Sequence, residues 1–432
     1  IQAAVESKEE LPPVPVKQIE VAVETGDIIP VVTPENGSKV ALVVSNPGKE
    51  RIDLTVHLDI EDYDHRRSIL ESNLTLEAGA SSRMAPLFDG KTRGVYVIHY
   101  TLTDRASGEK AEGLTSFCCM TPAGPGPFRR EGFLFSANGG PKGKGDEEDL
   151  RRVTRAISLA GIKVIRDSLP WEGVQYAGPG KWDKRSLTRH GHMLDVLKES
   201  GLEMQMLLGY NTPWNMPPGT GKRPDRSEWQ FNPPQKGDIK NWLGYVDKVV
   251  GTFGDRVRYW EVWNESDLWD FWQGSSAEYL TLLEATYKAV KAHDAQHQVM
   301  TSGFALIGGH GGHREEDFQK KVCIQGRPFY DILAHHQHGR TEEFYKAVDG
   351  GLAEIRREVE PPAPLWFNET ASKTPIDGYR LQAAALVRKL LFAWSRGAIG
   401  YTWYQTRTGT LDVDSKRRWG LMSEKLEPKF AY

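Results

Sequence analysis

The N-terminal part of the chain is a series of short runs in which apolar and polar residues alternate. The clearest runs are residues 18–23, 39–44, 52–58, 94–100 and 114–120. Clusters rich in Asn, Gly and Ser separate them, as at Asn36-Gly37-Ser38. Repeated short strands with this punctuation predict an antiparallel β-sandwich over residues 17–122.

From residue 131 the period of the pattern changes. Short runs of β-branched and aromatic residues now alternate with longer segments whose apolar positions recur at helical spacing, as in 238–253. The predicted strands are 132–137, 162–167, 204–210, 257–263, 298–304, 331–339, 364–370 and 398–404, and the clearest helices are 147–159, 238–253, 342–359 and 379–394. The fold class is therefore α/β, a (β/α)8 TIM barrel with an N-terminal antiparallel β-sandwich domain.

The segments between these regions are rich in proline and glycine. Residues 1–16 are acidic and proline-rich and read as a flexible tether, while residues 123–130 form a linker. We place the sandwich accessory domain at 17–122 and the barrel at 131–432, with Trp419 and residues 427–432 as its closing segment.

Composition narrows the range of partners. A net charge of −3 provides no basic field for nucleic acid, and no apolar run reaches the ~20 residues of a membrane span. Three cysteines, two of them the adjacent Cys118 and Cys119, form no disulfide framework. A tether behind a removed leader would fit a secreted or periplasmic protein, although a trimmed chain would look the same. The oligomeric state is unknown from these data.

Two of the predicted barrel strands end in an Asn-Glu pair. Asn264-Glu265 follows the fourth strand, and Asn368-Glu369 follows the seventh. Because the carboxyl ends of barrel strands meet at one mouth, we expect both glutamates there. Hydrolysis of a glycosidic bond needs one carboxylic acid and one carboxylate, so the pair predicts glycoside chemistry.

The sequences around these pairs, Trp263-Asn264-Glu265 and Trp366-Phe367-Asn368-Glu369, resemble clan A of the retaining glycoside hydrolases, nearest to family 39 and its relatives. The resemblance covers about residues 130 to 432. It implies that Glu265 is the acid/base and Glu369 the nucleophile of a double displacement through a covalent glycosyl-enzyme intermediate.

The resemblance also implies residues that assist the two glutamates. Arg166 matches an arginine that hydrogen-bonds the nucleophile, and a fixed guanidinium lowers the pKa of a carboxylate; the alternative is an internal salt bridge. Asn264 is expected to face the sugar's 2-hydroxyl. His336 matches the histidine of the sixth strand, and His338 stands where a tyrosine is usual. Either His338 replaces that tyrosine as a donor, or the sugar selectivity differs.

Aromatic residues supply the remaining substrate-binding candidates. Trp403 matches the floor under the sugar, and the loop ending at Trp214 resembles an aromatic loop beside it. We add Trp171 and Tyr210 to these candidates. The aromatic loop 267–272 could be a subsite wall or a packed lid.

Several functional alternatives stay open. The sandwich could bind carbohydrate, although it lacks an obvious aromatic face, so a structural accessory is favoured. The histidines of 310–313 and 335–338 suggest a metal, but no framework fixes tetrahedral geometry, so we predict no metal and no cofactor. The main alternative to a glycosidase is a non-catalytic carbohydrate-binding protein, and a purely structural scaffold is the third reading. The joint presence of Glu265, Glu369, Asn264 and Arg166 favours the enzyme. Its sugar, linkage and endo or exo action are not indicated, since the family includes xylosidases, iduronidases and exopolysaccharide-cleaving endoglycosidases.

Overall fold

The computed structural model describes residues 16–85, 87–88, 92–122, 132–140, 147–217, 228–305, 312–372, 378–408 and 419–432. The expected tether before residue 16 and the expected linker at 123–130 lie outside this part of the chain. The described residues form two compact units, which divide after Pro122 and again after Leu421. Within the described residues, no helix combines the length and apolar character that crossing a membrane requires.

The first unit contains two sheets. Its strands are β1 Glu20–Glu24, β2 Val31–Val32, β3 Ala41–Ser45, β4 Ile52–Glu61, β5 Arg67–Leu76, β6 Ser81–Met84, β7 Gly94–Asp104 and β8 Lys110–Cys119. One sheet has the order β1-β3-β6 and the other β2-β8-β7-β4-β5. Alternate residues of β4 are buried, as its pattern predicted, and their apolar side chains form the core with those of β3 and β7. All pairings are antiparallel except β2 with β8, so the expected sandwich is present.

The last eleven residues, Met422–Tyr432, belong to this first unit, whereas the domain prediction from sequence ran the barrel to residue 432. Thr115 donates to Glu427 at 2.8 Å, and Ser116 donates to the carbonyl of Pro428 at 2.6 Å. Hydroxyl groups on β8 therefore bind the end of the chain, an interaction between residues more than 300 positions apart that strand patterns do not reveal.

The second unit is the expected barrel. Its strands are β9 Leu134–Asn138, β10 Val164–Ser168, β11 Glu203–Leu208, β12 Val257–Val262, β13 Gln298–Met300, β14 Leu333–His338, β15 Leu365–Ala371 and β16 Ala398–Trp403. Its helices are α1 Glu147–Leu159, α2 Trp171–Gln175, α3 Lys184–Glu199, α4 Ile239–Phe253, α5 Ser276–His293, α6 Phe318–Gln325, α7 Thr341–Ala347, α8 Ala353–Glu358 and α9 Tyr379–Ser395.

All eight strands are parallel in the order β13-β12-β11-β10-β9-β16-β15-β14. Isolated bridges from Met300 to Ile332 and from Phe304 to His335 join the two remaining edges. Side chains from β9, β10, β12, β13 and β15 fill the interior, so the barrel is a packed core and function is confined to its ends.

Two predicted elements differ from the structure. The fifth strand stops at Met300 rather than at residue 304, because only single bridges pair the residues beyond it. The predicted helix 342–359 is α7 and α8 joined by a π-helical turn, in which Gly350 leaves helical geometry. Two consecutive glycines after Asp349 give that turn its weak helix propensity.

Candidate active site

Glu265 lies just beyond the carboxyl end of β12, where the backbone bends sharply. Trp263 and Glu265 both have positive φ, 71° and 46°, which is uncommon for residues with a side chain. The amide of Trp263 still donates to Leu208 on β11, and that of Glu265 donates to Gly303. Strained backbone of this kind is typical of functional positions that the surrounding structure over-determines.

Glu369, on β15, is surrounded by hydrogen-bond donors. Arg166 Nη1 and Asn138 Nδ2 donate to its Oε2 at 2.7 and 2.9 Å, and His338 Nε2 lies 3.0 Å from its Oε1. An ionised carboxylate only accepts, so the Nε2–H of His338 donates. Burial acts to raise the pKa of Glu369. The charge that His336 acquires in acid, the hydrogen bond from His338 and the charge of Arg166 hold that pKa well below its usual range.

Arg166 is itself fixed by a second carboxylate, Glu261 on β12. The guanidinium donates to Glu261 through Nε at 2.7 Å and through Nη2 at 3.0 Å, a two-point contact. Glu261 is fully buried and also accepts from Gln205 Nε2 and from the amide of Gly303, each at 3.0 Å. Arg166 therefore hydrogen-bonds Glu369, as the resemblance implied, and is also part of an internal salt bridge.

Glu265 has a less polar environment than Glu369. His336 Nδ1 lies 2.9 Å from its Oε1, and His336 is completely buried. A β-carbon added at Gly303 would lie 1.9 Å from His336 Nε2, so the lack of a side chain there makes room for the ring. Burial lowers the pKa of His336 to about 3, so the ring is neutral. Burial and the nearby Glu369 carboxylate raise the pKa of Glu265 to about 7.

The two glutamates are close enough to act on one bond. A carboxylate oxygen of Glu265, one of Glu369 and a ring nitrogen of His338 all lie within 4.8 Å of one another. Carboxyl groups are ~5 to 5.5 Å apart in retaining glycosidases and ~6.5 to 9.5 Å apart in inverting ones. The oxygen-to-oxygen distance is shorter than either range, and the first range is the nearer of the two.

Asn264 is oriented by Arg166. The guanidinium Nη2 donates to Asn264 Oδ1 at 2.6 Å, so Asn264 Nδ2 points away from Arg166. Burial raises the pKa of the Tyr210 hydroxyl, and Asn264 acts to lower it, while the Tyr210 ring packs against Trp263 with centroids 5.2 Å apart. Tyr210 thus lies beside Asn264 and Trp263 at this strand end.

The predicted aromatic residues do not all reach the carboxylates. Trp171 is fully buried, and its indole donates to Gln175 while its ring packs against Tyr245. Trp214 is half-buried and meets Trp171 edge-on at 5.2 Å. Trp403 is on β16 near Glu369 but is also buried, and it donates to the carbonyl of Trp419. In this conformation Trp171 has no exposed surface for a sugar, because α2 and α4 enclose it.

The loop 267–272 is mainly packed. Trp272 is buried against Trp263 and Tyr279, and Trp263 Nε1 donates to the carbonyl of Phe271. Trp269 is half-buried, and the guanidinium of Arg314 lies 3.8 Å from its ring centre. The lid interpretation therefore fits Trp272, and only Trp269 retains a face that could line a subsite.

The histidine-rich loops contribute less than their composition suggested. His310 lies outside the described residues, while His313 packs on Phe318 and accepts from the amide of Glu315. Among the described side chains, only Glu265, His338 and Glu369 form a group of three or more potential metal ligands that lie close enough together to hold one ion. Arg166 already neutralises Glu369 there, which disfavours a cation.

Three site residues were missed by sequence reasoning: Asn138, Gln205 and Glu261. Glu261 was detectable, since a carboxylate inside a strand of aromatic and β-branched residues needs a buried partner. Asn138 was missed because the predicted first strand stopped one residue early, and Gln205 carries no distinguishing pattern.

Several known proteins are similar to this chain in sequence or in fold. No family model matches the chain. Over 145 residues it is 32% identical to a β-xylosidase of Geobacillus stearothermophilus, which is 32% of this chain and 28% of that enzyme. Over 267 residues it is 24% identical to a β-xylosidase of Caldicellulosiruptor saccharolyticus, 53% of each protein. The chain thus spans about half or less of the length of these relatives.

Among solved structures, a family 39 glycoside hydrolase from the gut symbiont Bacteroides cellulosilyticus WH2 has a TM-score of 0.65 at 19% identity. That match covers 95% of this chain and 81% of the other. At this identity the likeness establishes the fold. The resemblance to family 39 and its relatives that the two Asn-Glu motifs predicted is confirmed.

Proposed function

We propose that this chain, which resembles glycoside hydrolase family 39 in sequence motifs and fold, is a retaining glycosidase that cleaves O-glycosidic bonds of an oligo- or polysaccharide. The observation that carries the proposal is the spacing of Glu265 and Glu369, whose nearest carboxylate oxygens lie within 4.8 Å. That spacing is nearer to the ~5 to 5.5 Å of retaining enzymes than to the ~6.5 to 9.5 Å of inverting enzymes, which hold a water between their carboxylates.

In the first step the Glu369 carboxylate attacks the anomeric carbon as the bond to the leaving oxygen breaks. The proton on Glu265 passes to that oxygen. The opposite pKa shifts suit these roles, because near neutral pH Glu369 is ionised and a large part of Glu265 is protonated. A covalent glycosyl-enzyme and a free alcohol result.

In the second step Glu265, now a carboxylate, takes a proton from water as the water attacks the anomeric carbon. The bond from the sugar to Glu369 breaks, and both glutamates return to their starting states. His336 can assist both forms of Glu265, since a neutral imidazole nitrogen can accept from the acid or donate to the carboxylate.

Substrate contacts are proposed for Asn264 and for His338. Because Asn264 Oδ1 accepts from Arg166, Asn264 Nδ2 can donate to a hydroxyl of the substrate. Hydrogen bonds to the sugar's 2-hydroxyl strengthen as positive charge develops on the sugar ring. His338 is about one third exposed beside Glu369, where it can meet the same sugar.

The test is a screen of aryl glycosides, beginning with the β-xyloside because the curated relatives are named β-xylosidases, together with plant and bacterial polysaccharides. Proton NMR of the first product formed should show the same anomer as the substrate. An inverted product would contradict the mechanism. Sugar binding without turnover across the screen would favour the non-catalytic binding protein.

The export expected from the N-terminal sequence is also a proposal. A polymeric substrate outside the cell would require it, and fractionation of the source cells would test it.

A further inference from the structure

The inner face of α9 carries two buried polar side chains, Gln382 and Lys389. They are seven residues apart, two turns of helix, and neither is exposed. Gln382 Nε2 donates to the carbonyl of Trp419 at 2.9 Å. Helix α9 therefore reaches the loops at the barrel mouth with polar groups rather than with apolar packing alone.

Lys389 binds the ends of two neighbouring strands. Its Nζ donates to the carbonyl of Gly339 at 2.7 Å and to that of Ala371 at 2.9 Å. Gly339 directly follows His338 at the end of β14, and Ala371 ends β15 two residues after Glu369. The amine thus spans the two strands whose side chains, His338 and Glu369, are hydrogen-bonded to each other.

A buried lysine at this position lowers the stability of the fold, so its hydrogen bonds are expected to serve a function. Fully buried lysines are rare, because removing an ammonium group from water costs more than backbone hydrogen bonds alone return. Burial lowers the pKa of Lys389 to about 8, and the carboxylates of Glu343 and Glu342 act in the opposite direction. An apolar residue could fill the same space but could not join the two carbonyls.

The ladder between β14 and β15 is irregular close to its end. Its register shifts between His335 and His336, and the pairing that resumes there stops at His338 with Ala371. Gly339 then turns away with φ of 106°, and a β-carbon there would lie 2.7 Å from Glu343 Oε2. Lys389 therefore joins the two strands at the last residues of this short pairing, where Gly339 leaves the ladder.

We propose that Lys389 is a positioning residue for the nucleophile: by joining the carbonyls of Gly339 and Ala371, it sets the distance over which His338 donates to Glu369. This inference rests on the proposed function. The described hydrogen bonds of Lys389 go to backbone carbonyls and not to Glu265 or Glu369, so its effect on Glu369 passes through the backbone.

The experiment compares Lys389→Met with Arg388→Met, a matched change at the exposed neighbouring position of the same helix. We expect Lys389→Met to lower kcat/KM roughly 10- to 100-fold, because small misplacements of a reacting group are costly. We also expect the acidic limb of the kcat/KM profile to move to higher pH, since a weaker hydrogen bond from His338 raises the pKa of Glu369. Arg388→Met should match the parent in both.

A double-mutant cycle with His338→Phe separates positioning from general stability. If Lys389 acts through His338, the double variant should be about as impaired as the worse single variant. If Lys389→Met does not fold, the same measurements apply to Lys389→Gln, which keeps one donor. A folded variant with the parent's kcat/KM and acidic limb, or a strictly additive cycle, would overturn the proposal. A parent enzyme with no glycosidase activity would overturn the proposed function first, and this inference with it.

Discussion

The surroundings of Glu265 and of Glu369 differ, although both residues follow an asparagine at the end of a barrel strand. Glu369 accepts from Arg166, Asn138 and His338, whereas the described hydrogen bond of the Glu265 carboxylate is to a neutral imidazole. Their side chains are similarly shielded, 15% and 12% exposed. Burial therefore does not distinguish them. The donors around Glu369 do, because they lower its pKa against the effect of burial, whereas burial and the Glu369 carboxylate raise the pKa of Glu265.

The largest loss of activity is expected when Glu369, the ionised glutamate, is replaced. Glu369→Gln keeps the size of the side chain but removes the nucleophile, so both chemical steps should fail. We expect kcat to fall on the order of 10⁵-fold for every substrate. Single-turnover assays with aryl glycosides would check this, and retention of more than a tenth of the parent rate would exclude Glu369 as the nucleophile.

The protonated member should behave differently. Glu265→Ala should lose roughly 10²- to 10⁴-fold on substrates with poor leaving groups and much less with activated ones, which need no acid. Azide should restore turnover, because it attacks the intermediate without a base. The parent's kcat/KM should fall as pH rises through about 7, when Glu265 loses its proton, and the variant should lack that fall.

An equal loss on all substrates, with no glycosyl azide formed, would contradict this assignment of Glu265.

The third prediction concerns Arg166, the cation that is hydrogen-bonded to Glu369 but not to Glu265. Arg166→Met leaves Glu261 and Glu369 buried without their shared partner, and breaking a buried ion pair costs about 3 to 5 kcal/mol of folding free energy. Chemical denaturation would measure this, with Arg185→Met on the exposed face of α3 as the control. A loss no larger than the control's would mean that Arg166 is dispensable for the network.

The loss from Arg166→Met should also depend on pH. Because the pKa of Glu369 is depressed in the folded state, its ionisation stabilises the parent above the unfolded pKa of a glutamate. That contribution disappears as pH falls towards the lower, folded pKa. The difference in the free energy of unfolding between the parent and Arg166→Met should therefore become smaller in acid.

The smallest loss of activity is expected when His338, one of the three hydrogen-bond donors to Glu369, is replaced. His338→Phe removes the hydrogen bond to Glu369, and a hydrogen bond to a charged group is worth about 1.5 to 3 kcal/mol, so kcat/KM should fall about tenfold or more. The acidic limb should move to higher pH as the pKa of Glu369 rises. His338→Tyr restores a donor and should recover part of the loss; if it performs no better than phenylalanine, donation is not what His338 provides.

Much of this arrangement could be predicted from the sequence. Strand ends locate Glu265 and Glu369 because a parallel barrel brings all its carboxyl ends to one mouth, whatever their separation in the chain. The period of the apolar residues predicted α1, α4 and α9 to within about one residue at each end. These predictions depend on local pattern and on the symmetry of the fold.

Other features depend on which side chains meet, and local pattern does not contain that information. The donor set of Glu369 comes from β9, β10 and β14, and the partner of Arg166 comes from β12. The burial of Trp171 could not be predicted for the same reason, since the sequence around an indole looks alike whether the ring faces a sugar or Tyr245. β5 was missed because its first five residues are all exposed and its burial alternates only from Ser72 onward.

The central claim is that Glu369 forms a covalent bond to the sugar while Glu265 transfers the proton. The most direct test is to incubate the parent enzyme with an activated 2-deoxy-2-fluoro derivative of the preferred aryl glycoside and to map the adduct by peptide mass spectrometry. The fluorine disfavours the positively charged transition states, and the good leaving group lets the first step outrun the second. The account predicts one sugar per chain, attached at Glu369. An adduct at Glu265, or a substrate turned over with inversion and no adduct, would contradict it.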